Sequence, residues 1–128
     1  MPLNILCVDD QIDTVEAIKI LLQLEGYGVT TAMTAKDAML LLENNQYHAV
    51  ILDTGLPDTS GLDLCRWIRA DSADVPIIIY SGNSGKSDID KARAAGAARY
   101  LVKPADFDDI VGAIQDVIKQ QVTTDPKQ

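Results

Sequence analysis

The sequence predicts an α/β domain: a five-stranded parallel sheet, doubly wound, with helices on both faces. Three observations carry this. Five short apolar runs alternate with five segments of helical periodicity. The runs are nearly continuous in apolar residues, as strands buried on both sides must be. Polar residues gather just past the ends of four of the five runs. Such alternation calls for parallel pairing, because each return to the sheet needs a crossover helix.

The elements follow in order. Leu3-Asn4-Ile5-Leu6-Cys7-Val8 is a short apolar run without helical spacing, a buried strand ending at Asp9-Asp10. From Gln11 to Glu25, Val15, Ile18 and Leu22 recur at helical intervals, and Gly26 stops the helix. Val29 to Met33 is a second strand. Thr34 is placed to cap a helix over 35–45 that turns Ala38, Leu41 and Leu42 inward. Ala49 to Asp53 is the third strand, apolar until its last residue, and Thr54 to Ser60 is a loop with Gly55, Pro57 and Asp58. Gly61 to Asp71 is helical, with Leu62, Cys65 and Ile68 on one face and Trp67 off that stripe, partly exposed. Val75 to Tyr80 is the most apolar strand, and Ser81 to Gly85 is a loop. The helix over 86–95 carries one large aliphatic residue, Ile89, so it should dock weakly. Arg99 to Val102 is the fifth strand. Phe107, Ile110, Val111, Ile114, Val117 and Ile118 mark a strongly amphipathic last helix. The expected domain is 1–121, with 122–128 a polar tail or the start of a linker.

Composition narrows the function. A chain of 128 residues with 47% hydrophobic content suits one domain with its own core. Eleven basic against nineteen acidic residues give a net charge of −8, which repels phosphate backbones and argues against direct nucleic-acid binding. Cys7 and Cys65 sit inside apolar patterns with no disulfide or zinc spacing, which suits a reducing cytoplasm. No apolar run approaches the ~20 residues of a membrane span, and no signal-peptide pattern opens the chain. The lone histidine, His48, reads as a solvated residue at a strand entry.

Periodicity leaves the strand order open, but both doubly wound orders place ligands beyond the carboxyl ends of the strands. That rim collects Asp9 and Asp10 after the first strand, Asp53 after the third, Ser81 after the fourth and Lys103 after the fifth. Like charges ~4 Å apart cost about 4 kcal/mol at an effective dielectric near 20, so three converging carboxylates call for positive charge. Lys103 supplies one unit and a hard divalent cation would supply two; Mg²⁺ suits one or two carboxylates, waters and a phosphate oxygen. A carboxylate beside a cation, an ammonium and a hydroxyl can accept a phosphoryl group.

Four ordered pieces make the likeness specific: Val8-Asp9-Asp10, Leu52-Asp53-Thr54-Gly55-Leu56-Pro57 followed by Gly61, Tyr80-Ser81-Gly82, and Tyr100-Leu101-Val102-Lys103-Pro104. With them the chain resembles the receiver domain of bacterial two-component response regulators over residues 3–121. The resemblance implies the flavodoxin-like strand order 2-1-3-4-5, and it implies roles. Asp53 is the phosphoacceptor. Asp10 is a direct ligand of Mg²⁺ (or of Mn²⁺ in its place), Asp9 acts through a water, and the Gly55 carbonyl completes the protein's ligands with Asp53. Ser81 and Tyr100 are the switch residues, Lys103 pairs with the phosphoryl group, and the Lys103–Pro104 bond is cis. The implied donor is a histidine kinase or phosphotransfer protein, and the implied recipient of the signal is an effector protein or domain. The output surface would be the fourth helix, fifth strand and fifth helix. Such a protein is not an enzyme in the ordinary sense, catalysing only its own phosphorylation and slow dephosphorylation. Two departures stand out: Leu56 replaces a commoner Met, and Ala105 replaces a Phe whose space Phe107 is expected to fill. Gly55 and Asn83, at positions that tune phosphoryl lifetime in that family, are small and neutral or polar, and Gly55 is expected to leave the phosphoryl group open to water. The alternative is a Mg²⁺-dependent phosphatase working through an aspartyl phosphate, although Asp53-Thr54-Gly55 lacks that class's second carboxylate. A flavin-binding protein is disfavoured because no phosphate-cradling loop follows the first strand.

Overall fold

The computed structural model describes residues 3–71 and 74–123, with side chains through residue 120. Along the chain lie β1 (Asn4–Val8), α1 (Ile12–Leu24), β2 (Gly28–Ala32), α2 (Ala35–Asn44), β3 (Ala49–Leu52), α3 (Gly61–Asp71), β4 (Ile77–Ser81), α4 (Lys86–Ala94), β5 (Arg99–Val102) and α5 (Phe107–Thr123). The strands pair in parallel in the order β2-β1-β3-β4-β5. The expected class and topology are both present.

Strand alternation splits the core into two layers, since successive side chains leave a strand on opposite faces. Leu6, Val8, Val50, Leu52, Ile77 and Ile79 face α2, α3 and α4, packing with Ala38, Leu64, Cys65, Ile68 and Ala92. Ile5, Cys7, Ala49, Ile51, Ile78 and Tyr80 face α1 and α5, packing with Val15, Ile18, Leu22, Ile110, Ile114 and Val117. Each fully buried Leu or Ile contributes about 2 kcal/mol in transfer terms, and these layers fix the strand ends from which the polar rim projects.

Local signals act as the residue types suggest. The α1 helix ends at Gly26, whose φ of +93° lies in the left-handed region. There Gly26 N–H donates to Gln23 O at 3.0 Å and Tyr27 N–H to Leu22 O at 3.1 Å, which satisfies the last carbonyls. Thr34 caps α2 by accepting from Asp37 N–H at 3.1 Å. Within α4 only Ala92 is buried, so little apolar surface anchors that helix.

The structure moves several boundaries. β4 starts at Ile77 rather than Val75, because Pro76 has no N–H to donate. α5 continues through Thr123, and no Pro or Gly interrupts the sequence between Gln121 and Pro126. The rest of the expected tail, 124–128, lies outside the described residues. β5 is not the buried strand that periodicity suggested: it is the sheet edge, with Arg99 and Val102 exposed. Phe107 does not fill the space beside Ala105. It is 61% exposed at the start of α5, while Ala105 itself packs against the α1–α5 layer. Trp67 is half-buried against the opposite layer and lines a groove of about 510 Å³ with Met39 and Leu40. His48 is exposed as expected, and its Nδ1 accepts from Asn4 N–H at 2.9 Å.

Candidate functional site

The order 2-1-3 means that the chain leaves β1 and β3 toward opposite helical layers, which opens a crevice at their carboxyl ends. Val8 pairs with Leu52, so Asp9 and Asp53 follow side by side. The ladder carries on past the named strands: Asp53 N–H donates to Val8 O at 2.9 Å and Asp9 N–H to Ala32 O at 3.1 Å. On the other side Lys103 N–H donates to Ser81 O at 2.8 Å, which ties the end of β5 to β4. The cis Lys103–Pro104 peptide expected from the sequence is present.

These anchors bring the acids and the lysine together. Lys103 Nζ lies 2.6 Å from Asp9 Oδ2 and 3.6 Å from Asp53 Oδ2. Asp9 and Asp53 are buried and Asp10 is exposed at the rim. One carboxylate oxygen from each of Asp9, Asp10 and Asp53 lies within 4.8 Å of the other two, a spacing able to hold a metal ion. Both Asp9 oxygens are engaged, Oδ2 by Lys103 and Oδ1 by the N–H of Gln11 at 2.9 Å. The donor set is all oxygen, with clustered charge and an open rim, which fits a hard cation.

Electrostatics mark the same residues. Burial pushes the Asp53 carboxyl above its ordinary pKa and the Asp9 charge adds to this; Lys103 and the N–H groups of Gly55 and Thr54 pull it back. Burial alone would lower Lys103, but its hydrogen bond to Asp9 and the charges of Asp9 and Asp53 outweigh that, and its pKa is raised. Beneath them, burial and the Asp9 charge push the Cys7 thiol up to about 12, so it stays protonated and inert.

The remaining expected residues sit around this centre. Ser81 is buried at the end of β4, and its Oγ accepts from Asn83 N–H at 3.2 Å. Tyr100, half-buried on β5, donates its hydroxyl to Asn83 O at 2.6 Å. Gly55 is exposed, forms an isolated bridge with Ser60, and a Cβ there would meet only Asp53 Oδ2, at 3.9 Å. Gly61 closes the loop with its N–H on Thr54 O at 2.9 Å; a Cβ there would overlap the Asp53 carbonyl oxygen, so only glycine lets α3 start this close.

Four participants were not singled out from the sequence. The Thr54 hydroxyl contacts Ser81 Oγ at 2.7 Å. The Lys103 ammonium lies 5.5 Å from the Tyr80 ring centroid, and Tyr80 accepts from Ala105 N–H at 3.2 Å. Gln11 Oε1 accepts from Lys103 Nζ at 3.4 Å. Asp58 reaches from the β3–α3 loop to accept from Ala35 N–H and Lys36 N–H, both at 2.9 Å, which caps α2 from outside. Only Asp58 had a signal, being an acidic residue in a Pro-containing turn. The others depend on neighbours distant in sequence.

Known proteins share both sequence and fold with this chain. The family model described as the response regulator receiver domain matches residues 5–115. The response regulator MprA of Mycobacterium sp. (strain KMS) is 32% identical over 120 residues, covering 94% of this chain and 52% of that protein. The chain therefore spans about half the length of the curated relatives it matches. A CheY-like receiver domain protein from Methanospirillum hungatei JF-1 superimposes with a TM-score of 0.94 at 26% identity, covering 98% of this chain and 100% of that one. A structure described as the BeF3-activated DrrB receiver domain superimposes with a TM-score of 0.86 at 28% identity, covering 93% and 99%. All three are described as response regulators or receiver domains, so the phosphatase alternative is not favoured. A family match over most of the chain, on a sheet whose switch point carries the acids and the lysine, leaves one assignment: the chain belongs to the response regulator receiver domain family.

Proposed function

We propose that this chain is a phosphorylation-activated switch of a two-component system in which Asp53 accepts the phosphoryl group. The observation that carries the reading is the cluster at the β1–β3 crevice, where one ammonium reaches both Asp9 and Asp53. The donor would be the phosphohistidine of a histidine kinase or phosphotransfer protein. An Asp53 carboxylate oxygen attacks phosphorus, the P–N bond breaks, and its electron pair stays on the imidazole nitrogen, which takes a proton from solvent. Water later attacks the same phosphorus, releasing phosphate and restoring the carboxylate. Lys103 and Ser81 bind phosphoryl oxygens, and the exposed Gly55 leaves that group open to water.

Asp10, Asp9, Asp53 and the Gly55 carbonyl would hold Mg²⁺ (or Mn²⁺). Bound there, the ion would supply the positive charge that offsets the phosphoryl oxygens. Asp10 suits the direct contact because both Asp9 oxygens already have partners.

The signal would travel by local rearrangement. A phosphoryl group adds roughly two negative charges and several acceptors, which draws Ser81 and Lys103 toward it. Ser81 precedes α4, which buries only Ala92, so this helix is the element most easily displaced. The output surface would then be α4, β5 and α5, read by an effector protein or domain.

Acetyl phosphate with Mg²⁺ tests the reading. Intact-mass spectrometry should show a gain of about 80 Da, one phosphoryl group, that disappears in Asp53→Asn. No gain, or the same gain in Asp53→Asn, would overturn it.

A further inference from the structure

Ser81 has a restraint in the resting molecule. The residue is 2% exposed and its Oγ has two contacts: Asn83 N–H donates to it at 3.2 Å, and Thr54 Oγ1 lies 2.7 Å away. A hydroxyl carries one proton and two acceptor sites, and a buried O–H without an acceptor is costly. Asn83 already fills one acceptor site. Among the described residues the acceptor within reach of the Ser81 proton is Thr54 Oγ1, while half-exposed Thr54 can give its own proton to water. Hydrogen-bond accounting therefore makes Ser81 the donor and Thr54 the acceptor.

The placement of Thr54 is fixed. Leu52 pairs with Ile79, so two residues further Thr54 lies level with Ser81 at the ends of β3 and β4. Its carbonyl accepts from Gly61 N–H at 2.9 Å, and its N–H faces the Asp53 carboxylate. The backbone serves Asp53 and Gly61, which leaves the hydroxyl for Ser81.

We propose that Thr54 is a positioning residue whose Oγ1 holds the Ser81 proton in the resting molecule, so that this hydrogen bond must break before Ser81 can donate to a phosphoryl oxygen. The inference rests on the functional reading above and adds a residue that tunes it. The strength of one neutral hydrogen bond sets how far the resting arrangement is favoured.

The test compares Thr54→Val, which keeps the side-chain shape without the oxygen, with Thr54→Ser, which restores it. Each is measured for the rate of the ~80 Da gain with acetyl phosphate and Mg²⁺ and for affinity toward beryllofluoride, a non-covalent phosphoryl mimic. Thr54→Val should react and bind roughly fivefold better, the size of one neutral hydrogen bond, and Thr54→Ser should match wild type. In a Ser81→Ala background, Thr54→Val should change neither quantity, because the partner is gone. Thr54→Ala, expected to move the same way as Thr54→Val, serves if the valine variant misfolds. Unchanged or weaker binding by Thr54→Val, or an effect that survives Ser81→Ala, overturns the inference while the functional reading stands. A wild-type protein that takes up neither phosphoryl group nor beryllofluoride overturns both.

Discussion

Replacing Lys103 by methionine keeps the aliphatic stem and removes the ammonium that holds the two buried acids together. At an effective dielectric near 20, a charge pair at the observed 2.6 Å is worth about 6 kcal/mol and one at 3.6 Å about 5 kcal/mol, both before desolvation. Burying the ammonium costs several kcal/mol in the other direction, and removing one partner of a buried pair typically costs about 3–5 kcal/mol. Lys103 keeps 17% of its side chain exposed, so water reaches the gap and the lower end applies, about 3 kcal/mol. For a domain of this size that lowers the unfolding midpoint by about 10 °C in the absence of divalent ions. Because the Lys103 pKa is raised in the fold, its contribution is fully present below the ordinary value of 10.5 and is lost as pH climbs through the raised one. Thermal unfolding at neutral pH with a chelator measures the loss. Two further arms test its cause. Adding Asp9→Asn to Lys103→Met should recover more than half of the loss, since no unpaired buried carboxylate remains, and Mg²⁺ should stabilise Lys103→Met more than wild type. A Lys103→Met midpoint within about 2 °C of wild type, or no recovery from Asp9→Asn, would refute the electrostatic account.

Two other perturbations probe the frame around the site. Gly61→Ala places a methyl group against the Asp53 carbonyl and 2.7 Å from Thr54 Cα, so denaturant titration should show a loss of about 1–3 kcal/mol, with slower phosphoryl uptake as Asp53 shifts. Asp58 is held below its ordinary carboxylate pKa by the Ala35 and Lys36 N–H groups, so its contribution is present above the unfolded value of 3.8 and is lost as pH falls through the lower folded one. Asp58→Ala should therefore lower the unfolding midpoint at pH 7, and the gap to wild type should close in acid below 3.8.

The fold was legible because burial on two sides leaves few options for a strand. Ile77-Ile78-Ile79 and Ala49-Val50-Ile51-Leu52 can be sheltered only by helices on both faces, so class and element order follow from such runs alternating with helical periodicity. Strand order did not follow in the same way. It came from the resemblance, since residues within a run say nothing about which neighbour they pair with. Edge position was equally hidden: Tyr100-Leu101-Val102 reads as buried, yet no sixth strand or helix covers β5 on its outer side among the described residues. Phe107 misled for a related reason. Helical spacing placed it with Ile110 and Ile114, but at the first position of α5 it overhangs the end of the layer that the other two fill.

The site divides along the same line. Asp9, Asp53, Ser81 and Lys103 could be found because each is the polar residue that ends an apolar run, and parallel pairing carries all four ends to one rim. The contact that Ser81 makes could not be found that way. Thr54 and Ser81 are separated by 27 residues, and neither differs in sequence from an ordinary loop hydroxyl. They meet only because β3 and β4 are neighbours in matched register, a fact of topology. Chemistry that a strand end can announce is written in the local pattern. The partner of a strand-end hydroxyl depends on which strands lie side by side, so the contact between Thr54 and Ser81 belongs to the tertiary structure.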